Sequence, residues 1–233
     1  MRKLVLLVGG VAVLAAGCGS GKTVTVTTTE TVTRTVTTPV VQKNVRVYLL
    51  RDGKVAPTGR VIAAPPGKVS DDTLLELLRA GPSTKDREAG LTDAPLDTRP
   101  GLAEIVYTLS QEAPSQPVSY KGKSYTRLDF EDETPAILVE SPLPFQAVSA
   151  PLRVTGTANT FEATFEYELT DPDGKVLSHD FVTATSGSGT RGTFDFTIPF
   201  EAPNGLGNLV VYERSAADGS KTHVVEIPLS LAK

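Results

Sequence analysis

The chain has 233 residues, enough for one or two domains, and 39% of them are hydrophobic, as expected for a globular protein. Charged residues make up 21% and the formal net charge is −4, so neither a nucleic-acid-binding surface nor a disordered chain is expected. A single cysteine and two histidines exclude an internal disulfide and a cysteine-based zinc site. We therefore expect no nucleic-acid partner, no metal and no cofactor.

The N-terminal residues 1–17 have the pattern of a secretory signal peptide. Arg2 and Lys3 precede an apolar run at 4–16, which is shorter than the roughly 20 residues that span a bilayer. Small residues then lead to Cys18, and residues 15–18 resemble a bacterial lipobox, although Leu14 stands four positions before the cysteine rather than three. The resemblance implies that Cys18 carries a lipid anchor at the extracytoplasmic face of the cell membrane. The alternative is an ordinary signal peptide with a coincidental cysteine.

The segment after the cysteine contains a relaxed P-loop pattern at residues 16–23. A P-loop needs a following helix whose N-terminus faces the phosphates, but residues 23–38 consist mainly of threonine and valine, which are β-branched and poor helix formers. We therefore expect no nucleotide binding. This tract has too little apolar surface to form a core, so residues 18–43 are predicted to be the anchor and an extended linker.

Residues 44–134 alternate short strands with helices, which predicts a small α+β domain of two helices on a short β-sheet. The predicted elements are strands at 45–50 and 54–63, a helix from 71, a helical turn at 84–89, a helix around 102–109 and a hairpin at 117–128. The turn signal Asp52-Gly53 joins the first two strands, and Gly81-Pro82 ends the first helix. The second helix carries apolar residues at the i, i+3, i+4, i+7 spacing.

Residues 135–233 show no helical periodicity, which predicts an all-β immunoglobulin-like sandwich of about seven strands. The seven predicted strands lie at 136–140, 152–158, 161–170, 175–185, 193–200, 208–214 and 222–229. In the strand at 161–170 every second residue is apolar, and Glu162, Glu166 and Glu168 share the opposite face. Tyr212 is predicted to be a structural tyrosine at a sandwich corner.

Two segments resemble known families. Residues 44–128 resemble the GerM-type domain of sporulation and spore-germination proteins, through the matching positions 45–50, 74–82, 90–91 and 105–109. Residues from 135 onward resemble the immunoglobulin-like domain of bacterial spore-germination lipoproteins, through positions 141–142, 154–158, 161–162, 173–174, 192–194 and 213–216. The first resemblance implies a fold like the ring-building modules of sporulation complexes. A strand pair of this family is missing after residue 91, which predicts an altered partner surface and an exposed sheet edge.

The carboxylates of the second domain are the main candidate functional groups. Glu166 and Glu168 lie about 7 Å apart on one strand, a spacing at which carboxylate pairs hydrolyse glycosides. Catalysis also needs one of them buried with a raised pKa across a cleft, whereas these two are predicted to stand side by side on a solvated face. We therefore expect no catalytic residue and regard Glu162, Glu166 and Glu168 as candidate partner-docking residues.

Other polar groups of the second domain are given structural interpretations. His179 and His223 are predicted to be surface residues. The acidic turn at 171–174 is predicted to be a hairpin turn, because Val176 and Val182 occupy positions where a calcium loop needs glycine and glutamate.

The leading functional hypothesis is a non-enzymatic, lipid-anchored extracytoplasmic protein with two interaction domains. The resemblances imply a role in sporulation, spore germination or envelope assembly, with envelope or spore-assembly proteins, or further copies of the chain, as partners. One alternative is a cell-wall glycan-acting enzyme that uses surface carboxylates, against which the absence of tryptophan argues. The other is a transporter-accessory binding lipoprotein, although two small unlike domains do not make the usual paired α/β lobes.

Overall fold

The structure, a computed structural model, describes residues 40–201 and 205–232. The predicted signal peptide, the anchor Cys18 and the threonine-rich tract at 23–38 lie outside the described residues. Within the described residues, no helix has the length and apolar character needed to cross a lipid bilayer.

A long β-hairpin and three helices form the first part of the structure. Its elements are β1 (Val41–Arg51), β2 (Lys54–Ala64), α1 (Asp71–Arg79), α2 (Thr84–Glu88), α3 (Arg99–Leu109), β3 (Val118–Tyr120), β4 (Lys123–Tyr125) and a 3-10 helix at Arg127–Glu133. The hairpin turn has positive φ at Asp52 (51°) and Gly53 (75°), as the Asp-Gly signal predicts. β1 starts three residues before the predicted domain boundary at 44. The strand predicted to reach residue 128 ends at Tyr125, because the chain turns into the 3-10 helix.

Helix α3 is the central helix of this part, and it differs from the predicted amphipathic helix. Eight of its eleven residues are buried, including the polar residues Glu104 and Thr108. The helix lies along β1, where Thr108 Oγ1 accepts a hydrogen bond from Tyr48 N (3.0 Å) and Gln111 Oε1 accepts one from Arg46 N (2.7 Å). Further along the same edge, Leu50 forms a β-bridge with Thr92. The β1 edge is therefore covered from residue 46 to residue 50.

Eight strands form the second part, which is an immunoglobulin-like sandwich. They are β5 (Ile137–Ser141), β6 (Ala147–Ser149), β7 (Leu152–Ala158), β8 (Thr164–Thr170), β9 (Val176–Thr183), β10 (Gly192–Ile198), β11 (Gly205–Arg214) and β12 (Lys221–Ala232). One sheet has the order β10-β7-β5 and the other the order β6-β12-β11-β8-β9. The strand absent from the prediction is β6, whose three residues pair in parallel with the end of β12 and are too few to show an alternating pattern.

The predicted strand at 161–170 is wrong at its first three residues. Phe161–Ala163 form a 3-10 turn, and β8 begins at Thr164. Glu162 therefore does not lie on the strand that carries Glu166 and Glu168, and Phe161 does not point into the core.

Two hydrophobic clusters fill the structure, one between the β1–β2 hairpin and the helices and one between the two sheets of the sandwich. Strand β5 contributes to both, because successive side chains of a strand point to opposite sides: Leu138 belongs to the first cluster, and Ile137 and Val139 belong to the second. The described residues from Val41 onward form one compact unit. The division into two domains near residue 134 stays a prediction.

Candidate functional site

The outer face of the five-stranded sheet brings together six polar side chains, which we call the outer-face cluster. Its members are Glu166, Glu168, His179, Tyr212, Arg214 and Lys221. Strand register places them together: Glu166 lies opposite Tyr212 on β11, and Glu168 lies opposite His179 on β9. Two of the predicted docking residues therefore lie in one bonded network.

Tyr212 is the centre of the outer-face cluster. Its side chain is fully buried, and its hydroxyl lies 2.9 Å from both Glu166 Oε2 and Glu168 Oε1. The Nζ of Lys221 lies 4.2 Å from the centroid of the tyrosine ring, and the guanidinium of Arg214 lies 5.2 Å from it. These cations shield the aromatic ring from water, and they are attracted electrostatically to the negative face of its π-system. The Tyr212 hydroxyl thus hydrogen-bonds to the two carboxylates. The hydroxyl of a corner tyrosine would instead bond to a backbone group, so the predicted corner role is wrong.

Ion pairs keep both glutamates of the cluster charged. Arg214 Nε lies 3.0 Å from Glu166 Oε1, and Lys221 Nζ lies 2.7 Å from Glu168 Oε2. The hydrogen bond from Arg214, with further bonds from His179 and Tyr212, lowers the pKa of Glu166 to about 2. The bond from Lys221 likewise lowers the pKa of Glu168. A general acid for glycoside hydrolysis needs a raised pKa, so this pair is unsuited to that reaction.

Replacing Arg214 with glutamine is expected to raise the pKa of Glu166 from about 2 toward the ordinary value of 4.5, because the largest cause of the lowering is removed. Carboxyl carbon chemical shifts followed by NMR against pH would measure the change. Arg153→Gln is the matched control, since Arg153 pairs with Asp195 on the other sheet. An unchanged Glu166 titration in Arg214→Gln would mean that Tyr212 and His179 alone hold the charge.

An open groove of about 280 Å³ lies beside the cluster. Its lining residues are Phe161, Thr164, Phe165, Glu166, Phe181, Glu213 and Arg214. Phe161 and Phe181 are 63% and 70% exposed, although both are large apolar side chains. Glu162, the third predicted docking residue, follows Phe161 in the 3-10 turn at the start of β8.

Sequence reasoning missed the exposed phenylalanines for two different reasons. Extending the alternation of β8 backward placed Phe161 inside, whereas the strand starts three residues later. Phe181 lies directly opposite Glu166 on the outer face, and the pairing that places it there joins residues 15 positions apart. The sequence of β9 alternates only weakly between apolar and polar residues, and this is the one sequence signal of an unusual strand. In the structure most residues of β9 are exposed.

A second cavity, of about 190 Å³, lies where the tip of the β1–β2 hairpin meets β5 and β12. Valine, isoleucine, leucine, alanine and proline form most of its lining, and Asp52 is the one carboxylate among the lining residues. The paired carboxylates of a glycan-cleaving site are therefore not found there. In residues 40–201 and 205–232, no group of three or more His, Cys, Asp or Glu side chains is placed to hold a metal ion.

Comparison with known proteins bears on the second part of the chain. No curated protein matches the sequence. The GerM-type resemblance of residues 44–128 stays a prediction. Residues 136–220, which include all strands from β5 to β11, match the family model of the immunoglobulin-like domain of bacterial spore germination. The part of the sandwich that carries five of the six residues of the outer-face cluster is therefore similar to the immunoglobulin-like domain of bacterial spore germination.

Proposed function

We propose that the protein is a lipid-anchored, extracytoplasmic and non-catalytic component of spore germination or envelope assembly. The observation that carries the proposal is the match of residues 136–220 to the immunoglobulin-like domain of bacterial spore germination. In this chain, the outer face of the sandwich holds the outer-face cluster beside two exposed phenylalanines. Exposed apolar side chains rimmed by polar groups are typical of protein-docking surfaces. The low pKa values of Glu166 and Glu168 support a binding role for this face over an acid–base one.

Each segment has a part in this proposal. Cys18 holds the protein at the membrane, and the threonine-rich tract acts as a spacer, since sixteen residues reach at most about 53 Å. Residues 44–134 form a GerM-type domain that assembles with envelope or spore-assembly proteins. Residues 135–233 present the docking face, to which Glu162, Glu166 and Glu168 contribute.

The anchor is tested by replacing Cys18 with serine. We expect the variant to leave the membrane pellet for the soluble fraction, because acyl chains, worth about 0.8 kcal/mol per buried methylene, can no longer be attached. An immunoblot of salt-washed membranes from the native host measures this. Ser20→Ala is the matched control and should stay with the membrane. A Cys18→Ser variant that remains in the salt-washed pellet contradicts the anchor.

A further inference from the structure

We propose that the groove between Phe161 and Phe181 binds an extended, positively charged segment of a partner protein, which inserts one apolar side chain between the two rings. This inference rests on the proposed docking function and adds the chemistry of the partner.

The two phenylalanines form an anchor point for an apolar group. Both line one groove on the same face of the sandwich, and each leaves well over half of its side chain in water. Aromatic side chains that close around a partner's apolar side chain dominate the binding energy of many interfaces. Glu166 and Arg214 line the same groove and are already bonded to each other, so this part of its lining is preorganised.

The turn that carries Phe161 is held rigidly in an unfavourable conformation. Glu162 and Ala163 both have positive φ (52° and 60°), which non-glycine residues rarely adopt. Glu162 N donates to Ser188 Oγ (3.0 Å), and Phe161 N donates to Glu213 Oε1 (2.7 Å). The backbone at Gly187 lies so close that a Cβ there would be 2.5 Å from the Cα of Ala163. Surrounding contacts thus enforce a turn that points Phe161 into water, a pattern common at binding sites.

The charges around the groove favour a cationic partner. Glu166 and Glu213 line it, and Glu162 follows Phe161 in the adjoining turn. Glu166 is paired with Arg214, and Glu168, two residues further along β8, is paired with Lys221. The surplus is therefore negative while the histidines are neutral. A second copy of the chain would bring the same surplus to a symmetric contact and be repelled, whereas lysine and arginine side chains would be attracted.

The edge of the sheet beside the groove is closed to strand addition at one position. Phe181 lies on β9, the last strand of the five-stranded sheet, where an unpaired backbone N–H invites another strand. Asp180 Oδ1 instead accepts a hydrogen bond from Phe181 N at 2.8 Å. This capping favours a partner that lies across the face of the sheet over one that extends it.

Selection of peptides on the immobilised full-length chain tests the proposal. The probe is a random heptapeptide library, followed by fluorescence polarisation of the recovered peptides. We expect these to carry lysine or arginine on both sides of a leucine or an aromatic residue. The double variant Phe161→Ala/Phe181→Ala should bind them at least tenfold more weakly, with an unchanged melting temperature. Glu162→Gln should weaken binding severalfold and reduce its salt dependence, because one attracting charge is lost.

Leu128→Ala is the matched control, since Leu128 is as exposed as the two phenylalanines and lies in the 3-10 helix of the first part. It should bind the peptides like the unchanged chain. Equal binding by the double variant, or failure of any peptide to enrich, overturns the groove. Enriched peptides that are neutral or acidic, yet lost in the double variant, overturn the cationic partner and leave the docking function standing. Neither result depends on membrane fractionation, so the anchor is judged separately.

Discussion

Replacement of Glu140 by alanine is expected to lower the free energy of unfolding by about 3–5 kcal/mol, the usual cost of leaving a buried charge without its partner. Arg127 Nη1 lies 2.8 Å from Glu140 Oε1, and the two side chains are only 10% and 12% exposed. Tyr48, which is fully buried, also donates its hydroxyl to this carboxylate. The variant would therefore leave the Tyr48 phenol without its acceptor and the buried guanidinium of Arg127 without its counter-charge, with only neutral acceptors such as Ser110 Oγ and Tyr107 O remaining to it.

This ion pair joins the two parts of the structure. Glu140 lies on β5 of the sandwich, whereas Tyr48 lies on β1 and Arg127 begins the 3-10 helix. The guanidinium also stacks on two aromatic rings, 4.5 Å from the centroid of Tyr107 and 5.2 Å from that of Tyr48. Because Arg127 contacts the two rings of the first part and the carboxylate of β5, the loss of Glu140 should loosen the contact between hairpin and sandwich as well as lower stability.

The pH dependence of this contribution follows from the pKa of Glu140. Burial raises that pKa, but Arg127 and the Tyr48 hydroxyl lower it by more, so it ends below its ordinary value of 4.5. The folded state thus favours the charged carboxylate. The pair stabilises the protein fully above about pH 4.5, and the contribution is lost as pH falls through the pKa of the folded state.

Urea unfolding of wild type and Glu140→Ala measures the effect. Asp195→Ala is the control, because the Arg153–Asp195 pair lies in solvent and exposed ion pairs contribute little to stability. A joint replacement by apolar residues, Glu140→Leu with Arg127→Met, should recover part of the loss, since no charge is then buried alone while the Tyr48 hydroxyl still lacks its acceptor. A cost for Glu140→Ala as small as that of the control would contradict the stabilising role of the Arg127–Glu140 ion pair.

Local sequence signals predicted the elements that depend on local chemistry. Asp52-Gly53 marked the hairpin turn, and Gly81-Pro82 marked the end of α1, which is capped by Ala80 and followed by Gly81 at positive φ (70°). The conformation of the turn at 161–163 could not be read in this way. It depends on Gly187 and Ser188, about 25 residues further along the chain, and without their contacts the alternating pattern simply continues the strand.

The candidate site shows the same limit. The shared face of Glu166 and Glu168 follows from the two-residue period of a strand, and the structure has both on one face. The prediction that this face is solvated was wrong, because both side chains are mostly covered and ion-paired. Their partners could not be predicted, because Tyr212 and Lys221 are 44 and 53 positions away from Glu168. The contacts depend on the order of strands in the sheet and on their register, which a single sequence does not specify. Paired and solvated carboxylates therefore look alike in the sequence.

Replacement of Glu104 by glutamine is expected to make stability less dependent on pH. Glu104 lies in α3 with its side chain fully buried; Oε2 accepts from Ala94 N at 3.3 Å, and Oε1 has no hydrogen-bond partner among the described residues. Burial, with a further contribution from Asp93, raises the pKa of Glu104 to about 8 from 4.5, against a smaller opposing effect of the Ala94 N–H. The folded state therefore holds a proton that the unfolded chain releases near pH 4.5, so wild-type stability falls as pH rises from 4.5 to 8.

Between about pH 5 and pH 9, Glu104→Gln should gain roughly 2–4 kcal/mol of unfolding free energy relative to wild type, while any cost of its buried amide stays constant. Urea unfolding at both pH values measures this difference, and Glu76→Gln, at an exposed position on α1, should show none. Parallel stability curves for wild type and Glu104→Gln would mean that Glu104 is already ionised in the folded protein.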